Sequence, residues 1–279
     1  MTTLRLHAAP PAYHGAIDYA ELERLGLDPA QIIDFSVNSN PYGPSARVRQ
    51  AIAATPPDRY PDRESLALRR ALAGQLDLPI AKILIGNGAA EILWLIALAF
   101  IRPGDRVLVI EPTFGEYARL AALLGAEVLQ GRTGPETGFQ PDCEAITGYL
   151  TKVRPRVMFL CNPNNPTGVT LPVEQIAVWA KTQPETLFVI DEAYLAFAPP
   201  AKTALAIKRN NLLIVRSMTK DYALAGLRLG YVVSHNQELI ERLTLARPAW
   251  NVNALAQAAG LAALADEAHQ QRSLEKLID

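Results

Sequence analysis

Three short runs of branched and aromatic residues constrain this chain most: Arg156-Val157-Met158-Phe159-Leu160-Cys161, Leu187-Phe188-Val189-Ile190 and Leu212-Leu213-Ile214-Val215. Their apolar positions are consecutive rather than alternating, the pattern of strands covered on both faces, and hence of a mainly parallel sheet in an α/β fold. Each run stops abruptly at a polar cluster. The first ends in Asn162-Pro163-Asn164-Asn165-Pro166-Thr167-Gly168, the second in Asp191-Glu192-Ala193-Tyr194, and the third in Arg216-Ser217-Met218-Thr219-Lys220. Ligands of open α/β sheets sit at the carboxyl ends of the strands, so three such ends in succession predict one shared site. A fourth run, Ile83-Leu84-Ile85, leads through Gly86-Asn87-Gly88-Ala89-Ala90-Glu91 into an apolar helical stretch over Ile92–Phe100. A glycine turn before a helix presents backbone N–H groups to an anion, so Gly88, Ala89 and Ala90 are candidates to hold a phosphate. Gly-Asn-Gly is also a common turn when taken alone.

The third cluster carries the chemistry. Lys220 has a hydroxyl three residues before it (Ser217) and an arginine eight after it (Arg228, in Gly226-Leu227-Arg228-Leu229-Gly230). A lysine at a strand end loses solvation or gains a cationic neighbour, which lowers its pKa and frees the amine to attack an aldehyde. Arg228 supplies such a neighbour and a phosphate ligand together, so the pattern suits a phosphorylated aldehyde held as a Schiff base, as pyridoxal phosphate is. Asp191 is placed to pair with a pyridine nitrogen and keep it protonated, which makes the ring a better electron sink; the alternative is an acid that only caps its strand. Prolines around the asparagine pair fix the backbone, so that Asn165 can be aimed at little entropic cost.

NPNNPTG, VIDEAY and SMTK with GLRLGY together resemble the signature of the class I/II aminotransferases, the fold-type-I pyridoxal-phosphate enzymes, over about Asp34 to the end of the chain. The resemblance implies a three-layer α/β/α cofactor domain and assigns roles. Lys220 would bind the cofactor aldehyde, with Lys220, Asp191 and Tyr194 as the catalytic set. Asp191 would pair with the ring nitrogen, and Asn165 and Tyr194 with the ring oxygen. Ser217, Arg228, Gly88, Ala89 and Ala90 would hold the phosphate. Phe114 would lie flat on the ring. Tyr60, in Asp58-Arg59-Tyr60-Pro61-Asp62, would reach the cofactor phosphate of a neighbouring subunit, which implies a homodimer with shared active sites. Read without the resemblance, Phe114 is a core residue beside a turn, and Tyr60 precedes a helix beginning near Arg63.

Within the family, His14-Gly15, Asp34-Phe35-Ser36-Val37-Asn38-Ser39-Asn40-Pro41 and Trp250-Asn251-Val252-Asn253 are most similar to the threonine-phosphate decarboxylases of cobalamin biosynthesis. That likeness makes a small phosphorylated amino acid the expected substrate, with His14, Gly15 and Asn38 contacting it. Transamination of histidinol phosphate is the alternative expectation, and a cofactor-binding sensor or remnant without turnover is the alternative from another class. Ala16 departs from the His-Gly-Gly form usual in the decarboxylases. The resemblance also implies a further C-terminal region with an arginine that clamps the substrate carboxylate; Arg272 has no matching motif around it, so the expectation is a truncated chain.

Composition agrees with an α/β enzyme. With 279 residues and 49% hydrophobic content, the chain can bury a sizeable core. The organisation expected is an N-terminal arm over 1–42, a large cofactor domain over 43–246, and the start of a small domain over 247–279. A net charge of −1 gives no pull towards nucleic acid or anionic membrane. Cys143 and Cys161 are too few for a disulfide framework, and the histidines at 7, 14, 235 and 269 form no metal-binding pattern. The longest apolar stretch, Ile92–Ile101, is too short to cross a bilayer, and no apolar leader precedes it, so a cytoplasmic location is expected.

Overall fold

The computed structural model describes residues 7–9, 12 and 15–278. Among these residues, seven strands run in chain order as β1 (Ile83–Gly86), β2 (Arg106–Glu111), β3 (Glu127–Arg132), β4 (Val157–Cys161), β5 (Leu187–Asp191), β6 (Leu212–Ser217) and β7 (Gly230–Val233). They form one sheet in the order β1-β7-β6-β5-β4-β2-β3. Every pairing is parallel except those of β7, which runs antiparallel to both β1 and β6.

The central strands are buried at every position, and their side chains divide strictly between two faces, as the two-residue strand period requires. Leu84, Val107, Val109, Val157, Phe159, Val189, Val215 and Val232 lie in one core with the helices Gly88–Phe100, Glu116–Leu123 and Gln237–Ala246. Ile83, Ile85, Leu108, Met158, Leu160, Phe188, Ile190 and Ile214 lie in the other, with Leu66–Leu76, Cys143–Val153, Val173–Thr182 and Ala254–Leu264. The result is the three-layer α/β/α arrangement that the consecutive apolar runs require. Among the described residues, no helix is long and apolar enough to cross a membrane.

Local boundaries differ from the sequence expectation where polar groups intervene. The helix after β1 begins at Gly88, a turn ahead of its apolar run, because Ala89, Ala90 and Glu91 are themselves good helix formers. Its residues Ile92, Leu93, Leu95, Ile96 and Phe100 are buried, at about 1.5–3 kcal/mol each, which fixes the position of its N-terminus. The helix expected near Arg63 starts at Leu66 instead. The Asp62 carboxylate accepts from the N–H groups of Glu64 (3.0 Å) and Leu66 (2.6 Å), holding the intervening residues in a turn. The alanine-rich tail forms two helices, Ala254–Leu264, capped by Asn253, and Glu267–Ile278.

Candidate active site

Lys220 sits just past the end of β6, half-buried, with its ammonium 5.8 Å from the centre of the Tyr194 ring. Burial lowers its pKa most, the Arg228 guanidinium lowers it further, and Asp191 opposes the shift. A cationic lysine is therefore destabilised where an amine nucleophile is needed.

Asp191 ends β5 and is 4% exposed. One of its oxygens accepts the Tyr117 hydroxyl at 2.8 Å and the other accepts the Ala193 N–H at 3.0 Å. Burial pushes its carboxyl up, against the Tyr117 and Ala193 hydrogen bonds and the charge of Lys220. A cationic N–H brought against it would restore the carboxylate, since an opposite charge favours the ionised form. Tyr117 is fully buried, stacked on Phe159 with centroids 5.2 Å apart, and meets the Phe114 edge at 5.6 Å. Burial and Asp191 together hold its phenol well above the ordinary range, so it stays a donor. Sequence reasoning missed Tyr117; the available signal was its place three residues after Phe114, across the turn in which the Tyr117 N–H donates to the Phe114 carbonyl at 3.4 Å.

The asparagine loop separates framework from function. Asn162 is buried, donating to the Leu171 carbonyl and accepting the Leu171 N–H. Asn164 binds the Pro112 carbonyl and the hydroxyls of Thr113 and Thr167. Both are spent on shaping the loop. Asn165 instead directs its amide at the Tyr194 hydroxyl, 3.4 Å away. Burial raises Tyr194 to about 12, and the Asn38 side chain also bonds its hydroxyl. Asn38, Asn165 and Tyr194 line a cavity of about 390 Å³ together with Phe197, Leu274 and Leu277.

A candidate anion cradle is built around Arg228, whose charge acts on Lys220. The Asn87 side chain makes no cap bond to the helix Gly88–Phe100, and the Glu91 carboxylate of its first turn is drawn back onto the Asn87 N–H and the Asn251 amide, both at 2.6 Å, which leaves the N–H groups of Ala89 and Ala90 without a side-chain cap among the described residues. Gly88 has φ +78°, and a Cβ there would lie 3.0 Å from Arg228 Nη2. Arg228 is itself left-handed at φ 57°, a conformation rare outside glycine and found at functional sites. Ser217 pairs with Gly230 across β6 and β7, and a Cβ on Gly230 would come within 2.7 Å of the Ala89 nitrogen. The glycine thus lets the helix end approach the strands. The Ser217 and Thr219 hydroxyls are buried 2.7 Å apart beside it. Thr219 was not singled out from sequence. The donor set of hydroxyls, guanidinium and helix N–H groups, together with the Gly88 cradle, fits a phosphate, while Asp191 and the Asn165–Tyr194 pair fit the polar atoms of a hydroxylated pyridine.

The remaining expected residues lie elsewhere. Gly15 packs on the Ser36 carbonyl, which a Cβ would overlap, and does not line the cavity. His14 falls outside the described residues. Tyr60 is 81% exposed, its ring 4.7 Å from that of Trp250.

Next to the lysine, Asp221 is 8% exposed and its Oδ1 has no partner among the described residues, while Oδ2 accepts from Gln270 Nε2 at 2.9 Å. Burial raises its carboxyl from 3.8 to about 7. A folded pKa above the unfolded one gives stability that is present below pH 3.8 and lost as pH rises towards 7. Denaturant titrations should therefore show Asp221→Asn gaining on the wild type by about 2–3 kcal/mol between pH 5 and pH 8. A gap that does not change with pH would place the carboxyl at its ordinary value.

A sequence model of the family described as aminotransferase class I and II matches residues 30–279. The chain belongs to this family. It is 39% identical to the histidinol-phosphate aminotransferase of Moorella thermoacetica over 253 residues, 88% of this chain and 64% of that protein. The chain thus spans just under two thirds of that relative's length. Among solved structures, the histidinol-phosphate aminotransferase of Sinorhizobium meliloti in complex with pyridoxal-5'-phosphate superposes with a TM-score of 0.84 at 28% identity, over 94% of this chain and 72% of that one. The L-threonine-O-3-phosphate decarboxylase of Porphyromonas gingivalis follows at TM-score 0.70 and 30% identity, over 81% and 67%. The aminotransferase family is pyridoxal-phosphate dependent. The relatives shift the finer reading from the decarboxylase to the aminotransferase. Ala90 occupies the first turn of a helix, where the backbone N–H is the useful group for an anion.

Proposed function

We propose that this chain carries the cofactor site of a pyridoxal-phosphate-dependent transaminase acting on histidinol phosphate. The observation that carries the chemistry is the convergence of a desolvated Lys220, the Tyr117–Asp191 pair and the Arg228–Gly88 cradle at neighbouring strand ends. The 39% identity to the Moorella thermoacetica protein supports the substrate.

The bound cofactor would supply an aldehyde and an electron-withdrawing ring that weakens bonds at the amine-bearing carbon. Around it, Lys220 offers the amine and afterwards carries a proton to and from that carbon. Asp191 holds a proton on the ring nitrogen, and Tyr117 keeps the Asp191 carboxylate facing it. Asn165 and Tyr194 donate to the ring oxygen. Ser217, Arg228 and the N–H groups after Gly88, those of Ala89 and Ala90, bind the phosphate, and Phe114 limits ring tilt. The exposure of Tyr60 supports a role in a partner's site within a homodimer, and Asn38, which lines the cavity, is assigned to the substrate.

Incubation with pyridoxal phosphate, histidinol phosphate and 2-oxoglutarate is expected to yield glutamate. Release of CO2 from threonine phosphate with no glutamate formed would replace this reading with the decarboxylase. A cofactor adduct that neither substrate consumes would leave only a binding role.

A further inference from the structure

Among the described residues before Ser45, Asn40 alone is buried, at 4% exposure. A single polar anchor in an otherwise exposed segment is unusual, because burying an amide is costly unless each of its polar groups finds a partner. At Asn40 they do. Its backbone N–H donates to the Lys220 carbonyl at 3.0 Å, and its side-chain Nδ2 donates to the Asp221 carbonyl at 2.9 Å. Its Oδ1 accepts the Tyr42 N–H at 3.0 Å, which locks the side chain in that orientation. Asn40 thus grips two consecutive peptide carbonyls, one of them belonging to the lysine itself. Within the same loop, only the Ala223 N–H also reaches the Lys220 carbonyl, at 3.1 Å. Two residues earlier, Asn38 bonds the Tyr194 hydroxyl from the same segment.

We infer that Asn40 is a positioning residue for Lys220: it ties the lysine's backbone to the N-terminal segment, and so holds the amine in its half-buried place beside the Tyr194 ring. The inference rests on the proposed role of Lys220. It follows from geometry, since among the described residues Lys220 has no side-chain hydrogen-bond partner to fix it, its aromatic neighbour lying 5.8 Å away. Orientation must come from the backbone. Released from Asn40, the loop would let the ammonium reach water, and the lysine pKa would rise back towards its ordinary value.

The test uses the full chain without cofactor. Hydrogen exchange is followed at the loop amides, Ala223 above all, and the rate of adduct formation with added pyridoxal phosphate is measured against pH. Asn40→Ala removes the side-chain bonds to the Asp221 carbonyl and the Tyr42 N–H and leaves only the backbone N–H on the Lys220 carbonyl; Asn40→Asp keeps the acceptor for Tyr42 and loses the donor to Asp221. Both variants should exchange the loop amides roughly tenfold faster, the equivalent of one net hydrogen bond. Both should also shift the pH midpoint of adduct formation upward, while Ser36→Ala, in the exposed part of the same segment, shifts neither. Unchanged loop exchange and an unchanged midpoint in the Asp variant would overturn the inference. A wild-type chain that forms no adduct at Lys220 would instead overturn the reading on which it rests, so the two failures are distinguishable.

Discussion

Lys220→Ala is expected to fold normally and to lose the borohydride-reducible adduct with pyridoxal phosphate altogether. The fold survives because the contacts that hold the segment are made by backbone: the residue 220 carbonyl still accepts from Asn40 and Ala223, and Met218 N–H still donates to the Leu229 carbonyl. The side chain is half-buried and leaves no sealed cavity behind. Chemistry, by contrast, loses both nucleophile and proton carrier, and loss of a positioned acid–base group alone costs about 10²–10⁴-fold. Mass spectrometry of the reduced, digested protein locates the adduct. If the variant still carries it on another lysine, the site assignment fails.

The second large effect is expected at Asp191. Asp191→Ala should still form the adduct, because Lys220 and the anion cradle are intact, while turnover falls by about 10²–10³-fold, the usual scale for removing one buried electrostatic partner. Tyr117→Phe is the informative companion. It removes the 2.8 Å hydrogen bond but keeps the ring between Phe159 and Phe114, so it should give a smaller loss in kcat with little change in KM. Equal turnover in wild type and Asp191→Ala would remove the electron-sink role from this carboxylate.

The strands that could be read from sequence are those whose whole length is apolar. β4, β5 and β6 are buried on both faces, so their composition announces them, and the polar residues that follow stand out by contrast. The edge strand β3, Glu127–Arg132, is half-exposed and mixed in character, and nothing in its composition separates it from a loop. β7 is only Gly230–Val233 and reads as the tail of the arginine motif; its antiparallel direction is decided by its two neighbours. Residues that would touch a ligand were legible by type, as lysine, aspartate and arginine at strand ends. Residues that aim them were not. Tyr117, Thr219, Asp221 and Asn40 are ordinary polar residues until the fold buries them, and burial is a tertiary property with no local signature.

The antiparallel strand has a consequence for assembly. β1 and β7 lie far apart in the chain, yet Gly86 sits opposite Gly230, and this pairing brings Arg228 to the turn at Gly88. Local folding can form the central parallel strands first, because their crossovers are short, whereas closing the long loop between β1 and β7 is entropically later and slower. The phosphate cradle has no existence in a chain that has not made this closure. A phosphate bound there would therefore report that β1 has joined the sheet beside β7, and would stabilise only a chain that has made that pairing.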